Sequence, residues 1–268
     1  MSLGLPNPQL LQATRRWQKW LSKIINKVSY QKIIIRFVKK MKNLEFENNI
    51  EIGLGIFTVP DIASILNLKY SKVNSLLNEY WDKRFASIYG EKYSWKVHNS
   101  KAVSFHTLVE FYIFFQLKEV GVPTQKILDA HSELSKLFET AFPFASSKII
   151  NKMNCVGKRI VFEISENEII NLDSTKQLNL KFIKLFAQNL DFDKNNIANK
   201  FYPLGKSNSV IVDPEHQFGQ PVIKNTNIYP QTIYNLHKAK ESKKFIAESY
   251  EISLKQVNDA IDYCKSVA

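Results

Sequence analysis

At 268 residues, with 44% hydrophobic and 23% charged side chains, the chain is long enough to bury a core in about two domains. Two cysteines, Cys155 and Cys264, exclude a disulfide framework and offer no metal-ligand spacing. No apolar run approaches the ~20 residues needed to cross a bilayer and the two cysteines suit a reducing compartment, so a cytoplasmic protein without a membrane span is expected. The net charge of +12 is uneven, since residues 1–40 hold nine of the 37 basic side chains and none of the 25 acidic ones.

Residues 1–45 read as a basic amphipathic leader. Trp17, Trp20, Leu21, Ile24 and Val28 fall on one helical face, and Lys19, Lys23 and Lys27 form a stripe on another. Three roles fit such a segment. It can follow DNA phosphates, rest on an anionic membrane surface, or be a non-native or accessory extension ahead of a start at Met41.

Residues 46–145 carry the densest pattern. Thr58 caps a helix with Pro60 in its first turn, and Ile62, Ile65 and Leu66 recur at helical spacing. A break at Asn67-Leu68-Lys69-Tyr70 follows, and Ser71 is positioned to cap a second helix. That helix turns Val73, Leu76, Leu77 and Tyr80 inward and Lys72, Asn74, Ser75 and Asn78 outward. Two short helices joined by a tight turn, the second polar and basic outside, form the geometry that enters a DNA major groove. After Trp81, the stretch from Arg84 to Val103 contains Tyr89-Gly90, Tyr93 and Trp95, which predicts a small hairpin, hence a wing. Expected DNA contacts are therefore Lys69, Tyr70, Ser71, Lys72, Asn74, Ser75 and Asn78 from the helix, and Arg84, Lys92 and Lys96 from the wing. Polar side chains would read base edges and cations would meet phosphates.

Ser104 then caps an apolar helix over 105–119, Gly121 sits at its exit, and Thr124 starts another reaching about Phe138. The first of these is apolar over most of its circumference, so it is either buried or paired across a dimer. A homodimer with Phe111, Phe114 and Phe115 at its interface is expected, and it would suit a palindromic operator.

Residues 146–205 read as a connecting α/β segment, with strands near 155–163 and 169–172 and a helix over 178–190. In residues 206–268, Val210-Ile211-Val212 is a short strand, Gly219 can take a positive φ, and Pro221 stiffens the next ribbon. Helices over 231–240, 243–250 and 254–264 then make a helix-turn-helix-like bundle. The expected fold class is mainly α with small β elements.

Enzyme chemistry finds little support. His98, His106, His131, His216 and His237 show no metal-ligand spacing, no loop resembles a phosphate cradle, and Asp191 with Asp193 reads as a capped turn. No catalytic residue, metal or cofactor is expected.

Two stretches resemble known families. Phe57-Thr58-Val59-Pro60, the turn at Asn67, residues 73–80, 105–110 and 117–127 are similar to a MerR-type winged helix-turn-helix domain. Asp213, Pro214, Gly219, Pro221, Val222, Ile223, Thr226 and Ile228 resemble a small domain, of otherwise unknown function, in antitoxins paired with PIN-like toxins. That pattern has glycine and arginine where this chain has Asn225 and Asn227; the missing arginine puts in doubt any anion or partner contact made there, whereas asparagine tolerates a left-handed backbone. With Gly157 to Glu163, Leu190 to Asp193 and Tyr202 to Lys206 in order between them, the chain resembles a two-domain VapB-type antitoxin. The resemblance implies a DNA-binding antitoxin of a type II toxin-antitoxin system that neutralises a PIN-like ribonuclease toxin and represses its own operon. Its partners would be a double-stranded DNA operator and the toxin. The alternative is a MerR-like transcriptional regulator whose C-terminal domain senses a ligand or partner and has no link to a toxin.

Overall fold

A computed structural model describes residues 53–89, 92–97, 99–156, 159–165, 168–171 and 186–267. The basic leader, the Gly157-Lys158 pair and most of the helix expected over 178–190 lie outside them. The described chain is mainly helical with small antiparallel sheets. No described helix is long and apolar enough to cross a membrane.

Strand β1 (Phe57–Thr58) leads into α1 (Val59–Ile65) through a capping box: Asp61 N–H donates to Thr58 Oγ1 and Thr58 N–H donates to the Asp61 carboxylate at 2.8 Å. The helix stops at Leu66, and Asn67 takes a left-handed φ of +51° that turns the chain. Helix α2 (Tyr70–Ser75) is next; its cap position is Lys69, so Ser71 lies inside the first turn rather than capping it. The helix does not end near Trp81 as the sequence suggested. It continues through a π-helical stretch (Leu76–Phe85) and a last α-turn (Ala86–Tyr89), because Leu76, Leu77, Trp81 and Phe85 keep presenting apolar surface to the core. The hairpin is accordingly shorter than expected: β2 (Ser94–Val97) pairs with β3 (Ser100–Val103), which pairs in turn with β1.

Helix α3 (Phe105–Glu119), capped by Ser104, runs through the middle of this region, and α4 (Thr124–Phe138) packs beside it. Trp81 is fully buried, with edge-on ring contacts to Phe85, Phe111, Phe114 and His131 at centroid distances of 4.9–5.8 Å. Within the same core, Glu110 and His131 face one another at 2.8 Å with no exposure. Glu110 also accepts the Phe144 N–H at 2.7 Å, and burial pushes its carboxyl above the ordinary glutamate range.

After a 3₁₀ turn (Pro143–Ala145) and a short α5 (Ser147–Ile150), β4 (Met153–Val156), β5 (Arg159–Ser165) and β6 (Glu168–Asn171) form a meander. A second small ladder joins β7 (Leu190–Phe192) to β8 (Ala198–Phe201). The C-terminal segment pairs β9 (Val210–Ile211) with β10 (Val222–Ile223), followed by α6 (Pro230–Lys238), α7 (Lys243–Tyr250) and α8 (Leu254–Ser266). Its core is aliphatic: Ile223, Ile233, Ile246, Val257, Ala260 and Ile261 pack together. Ser242 caps α7, and a capping box of Ser253 and Gln256 opens α8.

One ring joins the two ends of the described chain. Phe57 is fully buried between Gly55 and Gly219, and Ile56 N–H donates to Phe218 O at 2.8 Å. A Cβ at Gly219 would stand 2.3 Å from Phe57 Cζ, and its φ of +86° is itself unfavourable for any other residue.

Candidate nucleic-acid interface

The predicted contact residues of α2 fall into two groups. Lys69, Tyr70, Ser71 and Lys72 are exposed, Tyr70 to 55%, because the adjacent Val73 is the helix's anchor to the core. The ammonium groups of Lys69 and Lys72 meet no partner among the described residues. Asn74, Ser75 and Asn78 are half-buried and already bonded within the protein. Asn78 donates to Asn74 O at 2.8 Å and to Asn74 Oδ1 at 2.9 Å, while Ser75 donates to Glu79 at 2.6 Å. The Asn74 amide nitrogen is the donor left over from that exchange, so Asn74 can still address a base edge whereas Asn78 cannot without breaking its bonds.

A clasp missed by the sequence reading holds the hairpin against this helix. Lys101 Nζ on β3 reaches Asn78 Oδ1 at 2.5 Å and Asp82 Oδ2 at 2.7 Å. Ser94 on β2 donates its N–H and its hydroxyl to the same Asp82 carboxylate. Asp82 is therefore the post to which both strands are tied, and the side chain is only 6% exposed. The i, i+4 spacing of Asn78 and Asp82 was the signal available in the sequence. Lys92 precedes the hairpin and Lys96 lies on β2, both exposed, and Lys96 meets no partner among the described residues.

Arg84 requires correction. It belongs to the continued helix, not to the hairpin, and its guanidinium pairs with Asp129 on α4 at 2.8 Å. The dimer candidates also change. Phe111 is fully buried and Phe114 is 3% exposed, both against Trp81, because α3 is apolar all round and neighbouring elements wrap it. Of the three, Phe115 alone reaches the surface, half-buried and edge-on to Phe114 at 5.3 Å.

The C-terminal signature residues act locally. Asp213 is 2% exposed; its carboxylate receives Lys200 at 3.0 Å and His216 at 3.1 Å, and accepts the Glu215 N–H. Pro214 is buried beside Gly55, and half-buried Pro221 leads into β10. Thr226 Oγ1 donates to Ile223 O at 2.8 Å and accepts the Ile228 N–H at 3.0 Å, closing a turn in which Asn225 has a φ of +64°. The asparagine thus occupies the left-handed position where the resembling pattern has glycine. Asp193 accepts N–H groups from Asn195 and Ile197, and Asp191 binds Tyr202 and Lys206, so both carboxylates are taken up by turn and strand contacts. No group of three or more potential metal ligands comes together among the described residues.

Residues 210–264 match a family described as "Protein of unknown function (DUF433)". Over 56 residues the chain is 36% identical to the uncharacterized protein Rv2308 of Mycobacterium tuberculosis; the stretch covers 21% of this chain and 24% of that protein. The chain thus spans about a quarter of the length of the curated relative it matches. The X-ray crystal structure of Rv2018 from Mycobacterium tuberculosis superposes with a TM-score of 0.56 at 16% identity, covering 79% of this chain and 98% of that one. That likeness is one of fold.

Proposed function

We propose that this chain is a DNA-binding antitoxin that represses its own operon and neutralises a PIN-like ribonuclease toxin, acting as a cytoplasmic homodimer. The observation carrying the DNA half is the uncovered start of α2: Lys69, Tyr70, Ser71 and Lys72 project to solvent beside a hairpin bearing Lys96. In this reading β1–α1–α2 with β2–β3 is a winged helix-turn-helix, Lys69, Lys72 and Lys96 meet phosphates, and Tyr70 and Asn74 meet base edges. Arg84 and Asn78 drop out of the contact set and act as braces. The antitoxin half is supported by the C-terminal match together with Asp213, Pro214, Gly219, Pro221 and Thr226, in the order seen in antitoxin-associated domains.

The test is anisotropy of the full chain on its own promoter fragment across a salt series. Lys72→Ala should lower the salt slope by about one and weaken all sequences alike, whereas Asn74→Ala should change preference at one base pair by about 1–3 kcal/mol. Wild-type protein that binds promoter and random duplex equally would overturn the operator reading. Co-expression with the neighbouring toxin should restore growth and yield a stable complex; a neighbouring gene with no toxic product would favour the regulator alternative.

A further inference from the structure

An open groove of about 610 Å³ lies between α2 and α3, directly behind the exposed start of α2. Its floor is apolar, built from Leu68, Leu76, Tyr80, Phe114 and Phe115. Its rim is polar and mainly cationic: Ser71, Lys72 and Ser75 stand on the α2 side, and Lys118 and Thr124 on the other. Thr124 opens the 15-residue α4, whose cap position is Pro123 and whose first-turn N–H groups therefore receive no side-chain cap. The rim also carries Glu119, which accepts a hydrogen bond from Gln116 at 3.2 Å and keeps its charge, so two lysines and a helix N-terminus stand against one carboxylate. Leu68, Phe115 and Glu119 also line a neighbouring cavity of about 130 Å³, whose walls mix apolar Phe201 and Val267 with polar Asn67, Gln116 and Ser266.

A mainly cationic mouth over an apolar floor is complementary to one kind of occupant. We propose that the groove binds a small amphipathic anion, such as a medium-chain carboxylate, with its head between Lys72 and Lys118 and its tail over Phe115. A nucleic-acid backbone gains nothing from a floor of leucine and phenylalanine, while the size and mixed lining are those of a small-molecule site. Because Ser71, Lys72 and Ser75 both form this rim and belong to the face assigned to the duplex, the ligand and DNA compete; this coupling rests on the DNA-binding reading.

The experiment displaces anilinonaphthalene sulfonate from the full-length protein with decanoate or with decanol, which share a tail and differ in charge. Decanoate should displace the dye at a concentration about two- to fivefold below decanol, the ratio expected from one solvent-accessible ion pair. Lys118→Ala and Lys118→Glu, at an exposed position, should keep the melting temperature and remove that preference; Phe115→Ser should weaken both ligands. Equal displacement by the two ligands, or a preference that survives both Lys118 variants, would overturn the site. Release of promoter DNA by decanoate should fail in Lys118→Glu. Protein that binds decanoate selectively but never binds promoter would sink the DNA reading and leave the ligand site standing.

Discussion

The region from β1 to α4 and the C-terminal segment from β9 to α8 are both built from short amphipathic helices beside a small sheet, yet they are held by different forces. The first is packed around aromatic rings, with Trp81, Phe85, Phe111 and Phe114 in contact, and it encloses the Glu110–His131 pair. The second has an aliphatic core of isoleucine, valine and alanine, and relies on caps at Ser242 and Ser253 and on side-chain to backbone bonds such as Thr226 to Ile223. A buried carboxyl–imidazole pair is costly to desolvate and contributes little net stability, but losing one member leaves the other's polar atoms buried without a partner. The aromatic region thus depends on a few irreplaceable contacts, and the aliphatic segment on many small ones. The difference suits a rigid platform for α2, whose exposed start has no packing of its own to steady it.

The largest effect should come from the buried pair. Glu110→Ala is expected to cost about 3–5 kcal/mol in urea unfolding, and the combination Glu110→Met with His131→Leu far less. A single-variant loss below about 1 kcal/mol would remove the contrast between the regions. Next is the junction. Gly219→Ala forces a Cβ onto Phe57 at a left-handed backbone position, and about 2–4 kcal/mol should be lost. Adding Phe57→Leu should return part of it, since the two changes share one space and are not additive. In the C-terminal segment, Ser253→Ala should cost only about 1 kcal/mol, the ordinary value of an N-cap. The remaining effect is a pH dependence. Burial lowers the half-buried His106 from 6.5 to about 4, against opposing contributions from Asp193 and Ala198. Its folded pKa lies below its unfolded one, so its stabilising share is complete above pH 6.5 and is lost as pH falls through about 4. Glu110 has the opposite sign: its raised pKa makes its share complete below the ordinary glutamate range and lost as pH rises through the raised value. His106→Gln should flatten the acid limb of thermal melts recorded against pH.

Much of this architecture was readable before any coordinates. Thr58, Ser104 and Ser253 announce their helices because an N-cap is a local interaction, complete within four residues. The apolar spacing of α3 and α8 is local in the same way, whereas the pairing of β9 with β10 joins residues about eleven apart and is not marked in the sequence. The face of α2 was legible too, since Val73, Leu76 and Leu77 define its buried side. Its length was not. The continuation to Tyr89 depends on Trp81 and Phe85 reaching partners on α3 and α4, separated from them by tens of residues. Arg84 was assigned to the wing because nothing in its neighbourhood reveals Asp129. Phe111 and Phe114 fit a second subunit as well as their own chain by sequence, because an all-round apolar helix reads the same whichever supplies its cover. Short-range order is written in adjacent residues, whereas the choice of partner for a charge, a ring or an apolar face is a long-range matter, settled when distant segments compete for the same surface.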